Sequence, residues 1–208
     1  RAFGCPARHY YDVGVAGLGT TALAALMTVI QLNSVAFMPA FGLATAGAIL
    51  AGQAIGAGFK DAVPRVVKLT FLAAGTWEGL AGLAYFTIPG LLLGAFVEPT
   101  KNSAEFMAVG IRMLMLSAAW QLFDAAAMVL SETLRAAGDT AFPMWARIAV
   151  AWLVFVPGSY YTVAVAGGND VAAVLWMVAY LALLAIAMFL RFRSGAWRRF
   201  DLTEPVVA

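Results

Sequence analysis

Two acidic residues stand where a chain this apolar tolerates charge least. Asp124 interrupts LSAAWQLFDAAAMVLSETLRAAGDTAFP, residues 116 to 143, and Glu78 is the only charge between Leu69 and Val97. An ionised Asp at the centre of a membrane-spanning helix costs about 2.5–3.5 kcal/mol on insertion scales, so it must be offset or put to use. Ser117, Gln121, Asp124, Met128 and Ser131 follow one another in steps of four, three, four and three. That spacing predicts one polar face on a single helix, and such a face turns to a bundle interior or a water cavity. Burial and a nearby cation act in opposite directions on a carboxyl group. A group so placed can trade a proton or a metal ion for a cationic ligand. The plainer reading of Asp124 is a neutral, hydrogen-bonded side chain that serves helix packing.

Other residues carry weaker signals. Glu78 either faces a cavity or belongs to a tightly packed face marked by Gly75 and Gly79. Gln31, Asn33 and Ser34 are polar within a long apolar run; interhelical hydrogen bonding is the default, with substrate contact as the sharper alternative. Thr28, Gln31 and Ser34 recur every third residue and share a stripe. Trp120 stands one turn before Asp124 and could stack on an aromatic or cationic ligand, or pack, or face lipid. Arg112 either snorkels outward or pairs with Glu105 about two turns away, and the pairing is the expected arrangement. No enzyme site is visible. The chain has one histidine and one cysteine, which gives no metal cluster and no internal disulfide. GQAIGAG at residues 52 to 58 lacks the lysine of a phosphate-binding loop. No cofactor is expected.

Composition names the elements that must hold these groups. Of the residues, 63% are hydrophobic and 12% charged, against about 25% charged in a soluble domain. The uncharged blocks run from Val13 to Phe59, Ile148 to Asn169 and Val171 to Leu190. A crossing takes about 20 apolar residues. The fold class is therefore all-α, a polytopic transmembrane bundle with about five complete spanning helices. A net charge of +2 leaves no footprint for nucleic acid; lipid is the surrounding partner.

In chain order, residues 1 to 16 hold Arg1, Arg8, His9 and Asp12 and read as irregular. Because the first residue is Arg1, the start is expected to be missing or altered. A first helix is predicted over about Thr20 to Gly56, with Pro39 and Gly42 as a hinge and Gly52 and Gly56 as a close-packing face. A second covers about Pro64 to Thr87, and a short interfacial helix about 91 to 97. A third covers 103 to 137 and a fourth about 141 to 165, bent at Pro157 and Gly158. A fifth covers about 170 to 193. Residues 17 to 200 form the transmembrane lobe and 201 to 208 a tail. Lys60, Arg65, Lys68, Arg135, Arg147, Arg191, Arg193, Arg198 and Arg199 fall on one side by alternation, and Lys101 and Arg112 on the other. The positive-inside rule then places the C-terminus in the cytoplasm.

Two stretches, QLNSVAFMPAFGLATAGAILAGQAIGAG at 31 to 58 and QLFDAAAMVLSETLRAAGDTAFPM at 121 to 144, together resemble the multidrug and toxin extrusion (MATE) family. The resemblance covers about Gly17 to Arg199. It implies one lobe, the C-terminal half, of a twelve-helix secondary transporter that exports drugs and other organic cations in exchange for H⁺ or Na⁺. It implies that Asp124 holds the coupling ion, the one place a Na⁺ would sit, with Trp120 one turn earlier where many members carry a tyrosine. From the residues themselves, Gln31, Asn33, Trp120 and Gln121 are expected at the substrate cavity, with Glu78 as the second carboxylate. The partner the resemblance requires is the missing N-terminal lobe. Residues 1 to 16 do not match the family's seventh helix, and the glutamate many members carry there has no counterpart. Two rivals are a lipid-linked substrate flippase of a related fold, disfavoured because only Arg112 is expected to supply a cation from within the helices, and an inactive truncated remnant.

Overall fold

The computed structural model describes residues 20–96, 103–162 and 170–199, and their side chains from Ala24 onward except 170–174. The expectations for residues 1 to 16, for the loop with Lys101, for the 163–169 connection and for the tail lie outside the described residues. Among the described residues every regular element is helical.

Helix α1 is Thr20–Gly56 and continues through Pro39. It stops at Gly58, whose φ of +83° is the left-handed conformation that glycine adopts without penalty at a helix C-terminus. Phe59 N–H then returns to Ala54 O at 2.8 Å. A 3-10 turn, Lys60–Ala62, leads into α2, Val63–Thr87, with Pro64 in its first turn, where its missing N–H costs nothing. Pro89 opens the short α3, Pro89–Gly94.

The third predicted helix is corrected. It is not continuous over 103–137 but divides into α4, Ser103–Ser117, and α5, Gln121–Ala136, whose axes differ by 48°. No proline stands at the bend. Ala118, Ala119 and Trp120 donate to carbonyls only three residues back, and Ser117 Oγ donates to Leu114 O at 2.7 Å. Serine bonding back into its own helix, with a tightened turn, is a known source of bending. Asp124 therefore lies in the first turn of α5, not mid-helix.

The next span is helical from Ala141 as expected, but not uniformly α. It begins as α6, Ala141–Val150, widens to a π turn over Ala151–Phe155 and resumes as α7, Val156–Tyr160. The irregularity precedes Pro157 because the proline ring crowds the carbonyl of the turn before it and supplies no N–H. Helix α8, Asp170–Arg193, ends in a 3-10 turn, Ala196–Arg199.

Three helices are long and apolar enough to cross a membrane, and the α4–α5 pair makes a fourth. Helix α2 has the length, 25 residues, but Glu78 and its glycines dilute its apolar character. The chain is thus a multi-pass membrane protein. Helix α5 lies at its centre, against α1, α2 and α8.

The core is two apolar clusters. One gathers Ala40, Ala74, Ala127, Leu134 and Met188, the other Val29, Ala36, Tyr85 and Leu114. Close approach of α1 and α2 depends on Gly47. A Cβ there would overlap the Thr70 side chain, its own Cβ included, and Thr70 is fixed by a 2.9 Å bond from its hydroxyl to Val66 O. Gly52 makes only ordinary contact with Ala136, and nothing faces Gly56, so the close-packing glycine is Gly47 rather than that expected pair. Gly158 is likewise a notch, covered by the Trp176 ring, whose Nε1 donates to Thr162 Oγ1 at 2.8 Å.

Overpacking of this kind costs about 1–3 kcal/mol. Gly47→Ala should therefore lower the unfolding temperature in detergent, and adding Thr70→Ala should restore much of the loss. A Gly47→Ala protein as stable as the parent would refute the contact.

Candidate functional site

The two core clusters do not meet. On α2 they part between Ala74 and Tyr85, on α1 between Ala36 and Ala40, and on α5 at its first turn. The gap is filled by polar groups. Gln121, 4% exposed, donates from Nε2 to Asn33 Oδ1 at 3.1 Å, and Asn33 Nδ2 returns to Val29 O at 2.9 Å. Glu78 is 0% exposed. Its carboxyl group feels the charge of Asp124 on the facing helix. Lys68 to Glu78 and Asp124 to Arg135 are ten- and eleven-residue steps, each about 15 Å at 1.5 Å per residue. That is half of a bilayer core about 30 Å thick, so both acids share one depth.

Small residues let the helices close around this layer. A Cβ at Gly82 would meet Gln121 and Ala118, and one at Gly79 would meet Leu122. The bend between α4 and α5 falls at the same level. It leaves the N-terminal end of α5, with its positive dipole, beside the carboxyl of Asp124.

Asp124 opens on a cavity of about 210 Å³, walled by α1, α5, α6 and α8. Along α5 the wall runs from Asp124 through Met128 and Glu132 to Arg135, so the space extends from the middle of the bundle to its basic rim. Arg147 lines it, as do Tyr180 and Phe37 with Phe41; the two phenylalanine rings stack at 5.9 Å. Arg147 is the cation whose field reaches Asp124. Glu132 is held by Arg135 at 2.9 Å. The chamber thus has acid and base on facing walls, with aromatic sides.

The predicted site residues separate. The structure joins Asn33 with Gln121 and sets Asp124 and Glu78 within electrostatic reach. Gln31 lies on the exposed face of α1, where Thr28 and Ser34 bond back to Ala24 O and Ile30 O. Trp120 occupies the bend, half-buried, and does not line the Asp124 cavity. No ion pair joins Arg112 to Glu105 among the described residues; both are exposed. Arg147, counted from the sequence as a rim charge, is a wall residue, so Arg112 is not the sole cation within the helices. The sequence puts Arg147 inside the predicted fourth helix, over about 141 to 165, but carries no sign that it shares a cavity with Asp124. No group of three or more metal-ligating His, Cys, Asp or Glu side chains occurs among the described residues.

The basic rim is held separately. Asp139, in the α5–α6 loop, is buried and accepts from Arg191 Nε at 2.7 Å. Arg191 also lies over the Phe142 ring, 4.9 Å from its centroid. Gly138, with φ +90°, makes the turn.

The MatE family model matches residues 13–161. A probable multidrug resistance protein NorM of Mesorhizobium japonicum is 30% identical over 187 residues, 89% of this chain and 39% of that protein. The multidrug resistance protein NorM of Burkholderia vietnamiensis is 30% identical over 198 residues, 94% of this chain and 41% of its own length. A probable NorM of Rhizobium meliloti is 29% identical over 195 residues, 92% and 40% respectively. The chain spans about two fifths of the length of these curated relatives.

Water access gives a direct test of the cavity. In a Cys5→Ser background, a membrane-impermeant thiol reagent applied from the basic rim should label Tyr180→Cys and Asp124→Cys but not Glu78→Cys. Equal labelling at all three positions would show that the layer is not sealed.

Proposed function

Because the chain belongs to the MatE family, matched over residues 13–161, we propose that it is the C-terminal lobe of a cation-coupled antiporter exporting drugs or other organic cations. The relatives are named as multidrug resistance proteins, which supports that substrate class. The single observation that carries the reading is the cavity that leads from the basic rim to Asp124. An ionisable group kept at mid-depth and reached by a wet path is the arrangement expected of a coupling site.

In this scheme Asp124 takes H⁺ or Na⁺ in one state and releases it in the other. Arg147 competes with the ion for the carboxylate, so an arriving cation must displace an existing attraction. Release is thereby made easier than from an isolated acid. Gln121 and Asn33 hold the α5–α1 contact around the site. Gln31, Trp120 and the exposed face of α1 are turned to the substrate path and to the second lobe. Pro39 with Gly42, and Pro157 with Gly158, are the positions at which helices bend. The π turn before Pro157 supports the second of these, since π turns recur at functional sites. Lobes that rock against one another around a fixed site give alternating access, so a first lobe is the required partner. The basic rim, with Lys60, Arg135 and Arg198, faces the cytoplasm under the positive-inside rule, and the C-terminus lies there with it.

Asp124→Asn in a complete transporter carrying this lobe is the test. The expected result is loss of ion-coupled dye efflux from pump-deficient cells by at least tenfold, with membrane insertion unchanged. Efflux that keeps both its rate and its ion dependence would remove Asp124 from the coupling role.

A further inference from the structure

Glu78 is the group that the scheme above leaves unused. It is wholly buried, and neither of its carboxyl oxygens has a hydrogen-bond partner. A buried carboxylate without donors is among the most costly arrangements in a protein. The donors nearest in the helix order are committed elsewhere. Trp77 Nε1 donates to Ala36 O at 2.8 Å, and the Tyr85 hydroxyl donates to Leu32 O at 2.7 Å. Gln121 Nε2 is bound to Asn33.

The charges around it come from few places. Helix α1 carries no ionisable side chain at all. From α2 itself there is Tyr85. From α5 there is Asp124, of the same sign as a Glu78 carboxylate. Arg147, from α6, faces Asp124 across the cavity. On α4, Arg112 and Glu105 are exposed. No cation pairs with Glu78 among the described residues. A metal ion would need several further oxygens in place, and no group of three or more His, Cys, Asp or Glu side chains that could hold one occurs among the described residues.

We propose that Glu78 is a second ion-carrying site of the lobe, one that holds a proton while occluded in this conformation. Asp124 exchanges with the cavity, whereas Glu78 can exchange only when the α1–α2–α5 contact opens. Release then breaks the Glu78 O–H bond, and the proton passes to water admitted by that opening, leaving a carboxylate. The lobe would in this way carry one ion in free exchange and one locked to the conformational change. The inference rests on the coupling reading of Asp124 but is measured without it.

The experiment is infrared difference spectroscopy on the complete transporter in liposomes at neutral pH. Wild type minus Glu78→Gln should show the carbonyl stretch of a protonated carboxylic acid. The band should persist in Asp124→Asn and shift only slowly on transfer to heavy water. Glu78→Gln should remain folded, because the amide copies the shape and neutrality of the protonated acid. Carboxylate bands in place of the acid band would overturn the proposal. So would an acid band that sodium chloride converts to carboxylate, which would make this a sodium site, or one that exchanges at once. Coupled efflux that survives Asp124→Asn would remove Asp124 from the coupling role while leaving the Glu78 band unaffected.

Discussion

A carboxyl group in oil must be neutralised, paired or hydrated, and the architecture of this bundle follows from meeting that demand twice at one depth. Apolar packing could have run unbroken from end to end. Instead it is interrupted by a band containing Asn33, Glu78, Gln121 and Asp124, with one hydrophobic cluster on either side. Around that band the helices are in contact through Gly79, Gly82 and a row of buried alanines. Large side chains there would have shielded the acids but would also have held the helices apart. Small ones permit direct contact between α1, α2 and α5, which is why a single amide–amide bond from Gln121 to Asn33 can span the interface.

The two acids are met by different means. Asp124 is served by an open cavity, by Arg147 and by the start of α5. Glu78 receives none of these. The bend at Ser117 to Gln121 produces this asymmetry. A straight helix would carry the polar stripe past the layer at constant distance from its neighbours. A 48° change of direction lets Ser117 and Gln121 stay inside while Asp124 reaches the cavity edge. Long continuous helices provide the wall, and one broken helix provides the site, a division common where irregular backbone is tolerated at membrane depth only beside a cavity.

Much of the wall is legible in the residues. Gly58 ends α1, Pro64 starts α2, Pro89 separates α2 from α3, and Arg191 and Arg193 close α8, each for a local steric or electrostatic reason that needs no tertiary context. The bend is not legible in this way. Ser117 is compatible with a straight helix, and only its bond to Leu114 together with packing decides otherwise. The same holds for Gly47 and Gly158. Sequence spacing singled out Gly52 and Gly56, but what makes a glycine indispensable is the side chain opposite, here Thr70 or Trp176. Arg147 reads from the sequence as a rim charge because its neighbours on the chain are near a loop, while in space it shares a cavity with Asp124 and Tyr180.

The 3-10 turn after α8 has a mechanical effect. Trp197 is buried against Phe192, with stacked rings 5.5 Å apart and its indole N–H on Phe192 O. Next to it, Arg198 meets Asp61 at 3.0 Å, and Lys60 Nζ donates to Arg198 O at 3.0 Å. The last described helix is therefore bolted to the first hairpin, and Asp139 ties in the middle of the chain through Arg191. One end of the barrel of helices is a closed hoop. Toward the other end the described ties between helices are single bonds, Tyr85 to Leu32 O and Trp176 to Thr162, so the described helices are gripped as in a tulip, more firmly at the stem than at the petals.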